Sequence, residues 1–270
     1  EALIFRCEDR ISETLSFAEL YDQVSKTVQH LRELGVTKGD RVAGFLPNFT
    51  GAVVAMLATA SVGAIWSSCS PDFGEQGVID RFGQIEPKVL FCVDGYFYNG
   101  KSHNCLVKIK SFTAKLPTLK QVVMFDYVSL GNNNIDNSIS YREIVDNYEP
   151  NEIDFERVGF DHPLYIMYSS GTTGVPKCIV HGHGGTLIQH LKEHQLQTNI
   201  SAGDRVFYFT TCSWMMWNWL VSALGTGATI MLYDGSPTYP NNLVLWKFAD
   251  EEQFSHFGTS AKYIETLMKN

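Results

Sequence analysis

The sequence predicts an α/β protein with doubly wound, mainly parallel sheets and flanking helices. Two observations support this fold class. Short apolar segments alternate with segments of helical periodicity along most of the 270 residues, which is the pattern of strand–helix–strand units. Several short segments, such as residues 164–168, are nearly all apolar, and strands of this kind are typically buried on both faces of a parallel sheet. We therefore expect the functional side chains on the turns between elements.

The predicted elements of the first half follow one another through short turns. Residues 2–7 form a strand, and a capping box of Ser16 and Glu19 opens a helix that ends at Gly35. Further strands are predicted at 41–47, 63–69, 88–93 and 121–125, and helices at 49–62, 76–85, 107–116 and 141–148. Residues 97–104 are expected to form a polar loop, and the Asn-rich residues 131–140 an exposed one.

The second half continues the same alternation. Strands are predicted at 164–168, 205–210, 229–233 and 254–257, and helices at 185–196, 213–224, 243–248 and 261–268. The Asn-rich loop marks a subdomain boundary. We expect one α/β subdomain in residues 1–150 and a second, incomplete one in residues 151–270.

Composition and charge exclude several classes of protein. The chain is 44% hydrophobic and 19% charged, with a mean hydropathy of −0.08, as in soluble globular proteins. No apolar run approaches the roughly 20 residues that span a membrane, and no signal peptide is recognisable. A net charge of −8 argues against nucleic-acid binding. Six cysteines without CxxC pairs favour reduced thiols and the cytosol.

The loop after residues 164–168 is the strongest candidate for function. Its two glycines let the backbone approach a ligand, its four hydroxyls add donors, and Lys177 supplies a cation. The spacing differs from the Walker pattern GxxxxGK[ST]. A polar turn without a ligand is the structural alternative. The candidate phosphate-binding residues are Ser169, Ser170, Gly171, Thr172, Thr173, Gly174 and Lys177.

These residues resemble the phosphate loop of the adenylate-forming superfamily, which includes acyl-CoA synthetases. The pattern [ST]-[SG]-G-[ST]-[ST]-G-x-P-K is filled at every position from Ser169 to Lys177, including Pro176. The similarity extends to LRELGVTKGDRVAGFLPN, AMLATASVGAIWSS and LGTGATIMLYDGSP. Within the superfamily, IWSSCSPDFG and TTCSWMMWNWL are most similar to the acetoacetyl-CoA synthetases.

The resemblance implies an acid–thiol ligase. Such an enzyme makes an acyl-adenylate from ATP and acetoacetate, releases pyrophosphate, and transfers the acyl group to coenzyme A, which serves lipid synthesis from ketone bodies. ATP, Mg²⁺ and coenzyme A are the implied cofactors, and small molecules the implied partners. Lys177, Thr172 and Thr173 are the implied catalytic residues, since the loop would spread charge on the leaving pyrophosphate.

Two further sets of residues are implied by position in the family. Residues 212–219 match the region that lines the acyl pocket, with Trp214, Met215, Trp217 and Asn218 as candidates. An aromatic stripe at helical spacing is equally typical of a core. Stretches 66–74 and 95–101 match places where relatives touch coenzyme A, with Ser70, Phe73 and Lys101 as candidates. Lys101 has the alternative of a solvated loop residue. His181 and His183 are interpreted as loop residues rather than metal ligands.

Family members continue with an adenine and ribose site, a hinge and a small carboxy-terminal domain. None of these is found in the 270 residues, so we expect a partial large N-terminal domain that is inactive alone. Two other functions stay open: an acetyl- or other short- or medium-chain acyl-CoA synthetase, and a non-catalytic binding module. An intact phosphate loop favours the enzymes over the module.

Overall fold

The computed structural model describes residues 1–131, 134–169 and 174–269. The strands are β1 (Leu3–Cys7), β2 (Ile11–Leu15), β3 (Arg41–Phe45), β4 (Ile65–Cys69), β5 (Val89–Val93), β6 (Gly95–Tyr98), β7 (Lys101–Asn104), β8 (Gln121–Phe125), β9 (Ser138–Ser140), β10 (Pro163–Ser169), β11 (Lys177–Gly182), β12 (Arg205–Tyr208), β13 (Thr229–Asp234) and β14 (His256–Gly258). The helices are α1 (Phe17–Glu33), α2 (Thr50–Ser61), α3 (Glu75–Ile85), α4 (Leu106–Thr113), α5 (Tyr141–Asn147), α6 (His183–Lys192), α7 (Met215–Ser222), α8 (Val244–Glu251) and α9 (Ala261–Met268).

Two mainly parallel sheets organise the molecule, which confirms the predicted fold class. The larger sheet has the order β11-β10-β4-β3-β5-β8-β9, and all its pairs are parallel except β10 with β11. The smaller main sheet has the order β14-β12-β13-β1-β2, and only β1 with β2 is antiparallel. Helices lie against both sheets, as expected where crossover connections join parallel strands.

The two main sheets exchange strands across the chain. The first strand β1 pairs with β13, so that Leu3 lies beside Ile230. In return, β10 and β11 join the larger sheet, which is otherwise built from the first half. The predicted subdomain boundary at 150/151 therefore does not coincide with the division between the sheets, and the subdomains remain a prediction.

Helix α2 is buried between the sheets. It contacts β1 of one sheet and β3 and β4 of the other, and nearly every residue of it is buried. Small side chains make this possible, since Ala and Val dominate its sequence. Gly44 on β3 leaves room for the Trp66 side chain, because a Cβ at this position would lie 2.5 Å from the Trp66 ring.

The structure corrects the prediction of a polar loop at 97–104. Strands β6 and β7 form a two-stranded hairpin, and its two turn residues Asn99 and Gly100 have φ angles of 53° and 75°. Asn-Gly in this conformation is a strong hairpin signal that outweighed the polar composition. Strands β2, β9 and β11 were also not predicted. No helix in the described ranges is long and apolar enough to cross a membrane.

Candidate functional site

The candidate site is a cavity of about 490 Å³ at the carboxyl ends of neighbouring strands. Such crevices, beyond the carboxyl ends of parallel strands, are where α/β folds bind ligands. Strands β10 and β11, helix α3 with its preceding loop, and the start of α7 all contribute. The lining residues are Phe73, Arg81, Met167, Tyr168, Ile179, His181, Ser213, Trp214 and Met215.

The predicted phosphate loop connects β10 and β11, which form one wall of this cavity. Ser169 is the last residue of β10 and pairs with Lys177, the first of β11. Lys177 is exposed, and no ion pair between described residues includes it. Gly174 has a φ of 102°, which a residue with a side chain would adopt only under strain. Ser170, Gly171, Thr172 and Thr173 lie outside the described residues.

A half-buried tyrosine, Tyr168, lines the cavity at the base of this hairpin. Ser67 on β4 donates a hydrogen bond of 3.0 Å to the Tyr168 hydroxyl, and burial raises the pKa of Tyr168 well above its usual range. Tyr168 therefore stays a neutral hydroxyl at any physiological pH. It acts on the site through its ring and its hydrogen bond to Ser67.

Trp214 and Met215 form the opposite wall, and their role in an acyl pocket stays a prediction. Their exposed fractions are 68% and 41%. The preceding loop is attached to the larger sheet by two short hydrogen bonds: Ser68 donates to the Cys212 carbonyl at 2.6 Å, and the Cys212 thiol to the Pro47 carbonyl at 3.0 Å. These bonds place Trp214 directly before the first turn of α7.

Trp217 lies in the core and does not line the cavity. Its side chain is fully buried, and its indole N–H donates to the Asn48 Oδ1 at 2.9 Å. Trp217 is therefore a core residue, the second of the two interpretations given for the aromatic stripe, because it lies on the inward face of α7. Asn218 lies between the core and the cavity. Its Nδ2 is 3.4 Å from the sulfur of the cavity-lining Met167, and its buried Oδ1 has no hydrogen-bond partner among the described residues.

The structure brings one of the three candidate coenzyme A residues to the cavity. Phe73 lines it. Ser70 is buried in the loop after β4, and Lys101 is exposed on the β6–β7 hairpin; neither lines the cavity. A neighbouring cavity of about 450 Å³ shares His181 and Met215 with the first.

Sequence reasoning missed Arg81, the cation of the cavity wall. Its guanidinium lies over the rings of Phe73 and Tyr168, at 4.7 and 5.6 Å from their centroids. Its position in the sequence, next to the apolar residues Val78 and Phe82 that form the buried face of α3, could have indicated it. A charged residue next to the apolar face of a helix lies at the edge of the core.

Comparison with known proteins gives consistent matches over the whole chain. The sequence profile of the AMP-binding enzyme family matches residues 1–270. The chain is 52% identical over 271 residues to the acetoacetyl-coenzyme A synthetase of Rhizobium meliloti, and it is 43% identical to the malonamoyl-CoA synthetase of Penicillium aethiopicum over 94% of the chain. The match with the Rhizobium protein covers 100% of this chain but only 42% of that protein, and the match with the Penicillium protein covers 38% of that one.

A solved structure has the same fold. The acetoacetyl-CoA synthetase from Streptomyces lividans superposes with a TM-score of 0.95 and 46% sequence identity, covering 99% of this chain and 41% of that one. The sheet order described above therefore belongs to a fold that is shared with a protein similar in sequence along the whole chain.

Proposed function

Because the chain belongs to the AMP-binding enzyme family, we propose that the intact protein is an acid–thiol ligase that activates acetoacetate. It forms acetoacetyl-adenylate and pyrophosphate from acetoacetate and ATP, and then acetoacetyl-CoA and AMP by transfer to coenzyme A. The observation that carries this proposal is the cavity where Trp214 and Met215 face the β10–β11 hairpin. An acid in this cavity lies beside the loop that binds the phosphates of ATP.

The loop residues act on phosphate in this proposal. Lys177, exposed at the start of β11, contributes a cation, and Thr172 and Thr173 contribute hydroxyls and backbone N–H groups to the β- and γ-phosphates. Fixed donors of this kind stabilise the charge that develops on the leaving pyrophosphate. Ser169, Ser170, Gly171 and Gly174 complete the loop.

Mg²⁺ reaches the site together with ATP in this proposal. The described residues include no group of three or more His, Cys, Asp or Glu that could hold a metal ion. Mg²⁺ typically keeps several water ligands and binds through substrate phosphates with only one or two protein ligands. In this proposal the phosphates of ATP are the main ligands of the ion, which would supply charge neutralisation there.

In this proposal the cavity selects the acid by its size and by a hydrogen bond to its second carbonyl. Trp214 and Met215 bound the cavity with apolar surface. The Asn218 amide lies beside Met167: its nitrogen donates to the thioether sulfur, a weak acceptor, and its oxygen has no partner among the described residues. The Asn218 Nδ2 would exchange the thioether for the β-carbonyl oxygen of acetoacetate, a much better acceptor. The Penicillium relative is named for malonamoyl-CoA, whose acid also has a β-carbonyl, which supports recognition of this group.

Coenzyme A approaches past Phe73 in this proposal, with Ser70 and Lys101 as further contacts. We also propose the cytosol as the place of the reaction and lipid synthesis from ketone bodies as its use. The six cysteines, all free and five of them buried, are compatible with a reducing compartment.

The test is ATP–pyrophosphate exchange by the intact protein with acetoacetate, acetate, propionate, butyrate and 3-hydroxybutyrate. We expect the highest kcat/KM with acetoacetate. Comparison with 3-hydroxybutyrate isolates the β-carbonyl, since the two acids have the same carbon skeleton. Preference for acetate or butyrate would instead support another acyl-CoA synthetase. If none of these acids supports exchange, the result would contradict the ligase proposal and favour a binding module.

A further inference from the structure

Arg81 occupies a place in the cavity for which the proposed reaction has so far named no role. It lies on α3, whose residues Val78, Phe82 and Ile85 are buried in the core. Arg81 itself is half-buried at the edge of this face and lines the cavity together with Trp214. Its position on a packed helix gives the side chain a fixed base.

Two aromatic rings orient the guanidinium. It lies 4.7 Å from the centroid of Phe73 and 5.6 Å from that of Tyr168. Its Nη1 donates a hydrogen bond of 2.8 Å to the Gly77 carbonyl, one turn earlier on the same helix. Stacking on aromatic faces holds the plane of the fork and leaves its edge available for ligands.

Most donors of Arg81 have no partner within the part of the chain that the structure describes. A guanidinium carries five N–H groups, and the bond to Gly77 is the one hydrogen bond from Arg81 to a described residue. No ion pair between described residues includes it. A half-buried cation without a carboxylate, in a protein with a net charge of −8, is suited to an anionic ligand.

The location of Arg81 indicates which anion. Tyr168, over which it lies, is the residue directly before Ser169, where the predicted phosphate loop begins. The other ring, Phe73, belongs to the loop proposed for coenzyme A. Both neighbours therefore connect Arg81 with a nucleotide.

We infer that Arg81 binds a phosphate group of one of the two nucleotide substrates, ATP or coenzyme A, by a bidentate contact from its guanidinium. This inference rests on the proposed function. Planar forks match phosphate oxygens at two points, which a lysine at the same place would not reproduce.

The experiment compares Arg81→Gln and Arg81→Lys with the intact wild-type protein. Arg142→Gln is the matched control, since Arg142 is 87% exposed on α5 and pairs with Asp146 one turn away. Calorimetric Kd values for ATP and coenzyme A, KM values for both, and thermal melting are measured. Arg81→Gln should raise the Kd for one of the two nucleotides by about 10- to 100-fold, as expected for a lost charged contact. Arg81→Lys should recover only part of this loss.

The two half-reactions identify the nucleotide. If the phosphate belongs to ATP, Arg81→Gln slows pyrophosphate exchange without coenzyme A; if it belongs to coenzyme A, exchange is normal and only the KM for coenzyme A rises. Wild-type affinities for both nucleotides in Arg81→Gln, with a lower melting temperature, would overturn the inference and leave Arg81 a structural residue. A wild-type protein without exchange would instead overturn the proposed function. If Arg81→Gln does not fold, an unchanged KM for both nucleotides in Arg81→Lys overturns the bidentate contact.

Discussion

Lys177 lies at the exposed base of the β10–β11 hairpin, opposite Ser169. We predict that Lys177→Ala in the intact protein slows adenylate formation by roughly 10²–10³, the usual effect of one electrostatic contact in the transition state. Its melting temperature should stay near wild type, because the side chain is exposed. Pyrophosphate exchange at saturating ATP and acid measures the rate. Lys262→Ala, at a 78% exposed lysine of α9, is the control, and equal rates for both variants would contradict the role of Lys177.

Trp214 and Trp217 are a natural pair for separating pocket from core. Trp217→Ala removes a fully buried indole and its bond to Asn48, so we predict a loss of about 3–5 kcal/mol in the free energy of unfolding. Its ratio of kcat/KM for hexanoate over acetoacetate should stay unchanged. Urea titration and steady-state kinetics measure the two quantities.

Trp214→Ala should give the opposite result. Trp214 is 68% exposed and lines the cavity, so we expect little change in stability and a shift toward longer acids. Each extra buried methylene contributes about 0.8 kcal/mol, or about fourfold in affinity. An unaltered preference among acids in this variant would show that Trp214 does not line the acyl pocket.

At the scale of elements, Glu8 joins three parts of the fold. Its carboxylate accepts hydrogen bonds from the backbone N–H groups of Asn99 at 2.6 Å and of Gly100 and Ser236, each at 2.9 Å. It therefore ties the β6–β7 hairpin, which carries Lys101, to the ends of β1 and β13. Few short hairpins are stable in water without such support.

We predict that Glu8→Gln lowers the free energy of unfolding by about 2–3 kcal/mol, because an amide cannot accept all three bonds of a buried charged group. Hydrogen exchange at the amides of Asn99 and Gly100 should accelerate more than elsewhere. The exposed Glu152→Gln serves as control. Unchanged protection at the hairpin tip would show that the hairpin holds itself.

The elements were predictable to the extent that their signals are local. The capping box of Ser16 and Glu19 is present as predicted, and α9 has the expected bounds, because capping and periodicity act within a few residues. Pairing across the chain was not predictable: nothing local in residues 3–7 selects β13. The site shows the same division. Spacing marked both Trp214 and Trp217, whereas the burial of Trp217 depends on Asn48 far away in the sequence.

For the whole molecule, a half-buried acid at the junction of the sheets, Asp234, makes stability depend on pH. Burial, opposed by hydrogen bonds from Tyr127 and the Gly235 backbone, raises the pKa of Asp234 from 3.8 to about 7. The folded protein therefore binds more protons than the unfolded chain between these values. The contribution of Asp234 to the free energy of unfolding falls as pH rises from about 4 to 7 and is constant above.

We predict that Asp234→Asn removes this dependence, because its amide is neutral at every pH and its oxygen still accepts from Tyr127. The free energy of unfolding of the variant minus that of wild type should be larger at pH 8 than at pH 5. Over the full window between the two pKa values, this difference should change by up to about 4 kcal/mol. Urea titrations of both proteins from pH 5 to 8 measure the difference. A difference independent of pH would contradict the raised pKa.

The pairing of β1 with β13 has a consequence for synthesis on the ribosome. Leu3 leaves the ribosome well before Ile230, its parallel neighbour, whereas β3, β4, β5 and β8 of the larger sheet emerge in close succession. Until then, β1 is an apolar segment with free backbone groups, and such a nascent edge is prone to wrong pairing. We therefore expect the larger sheet to begin assembling during translation, while the smaller main sheet closes only after β13 has emerged.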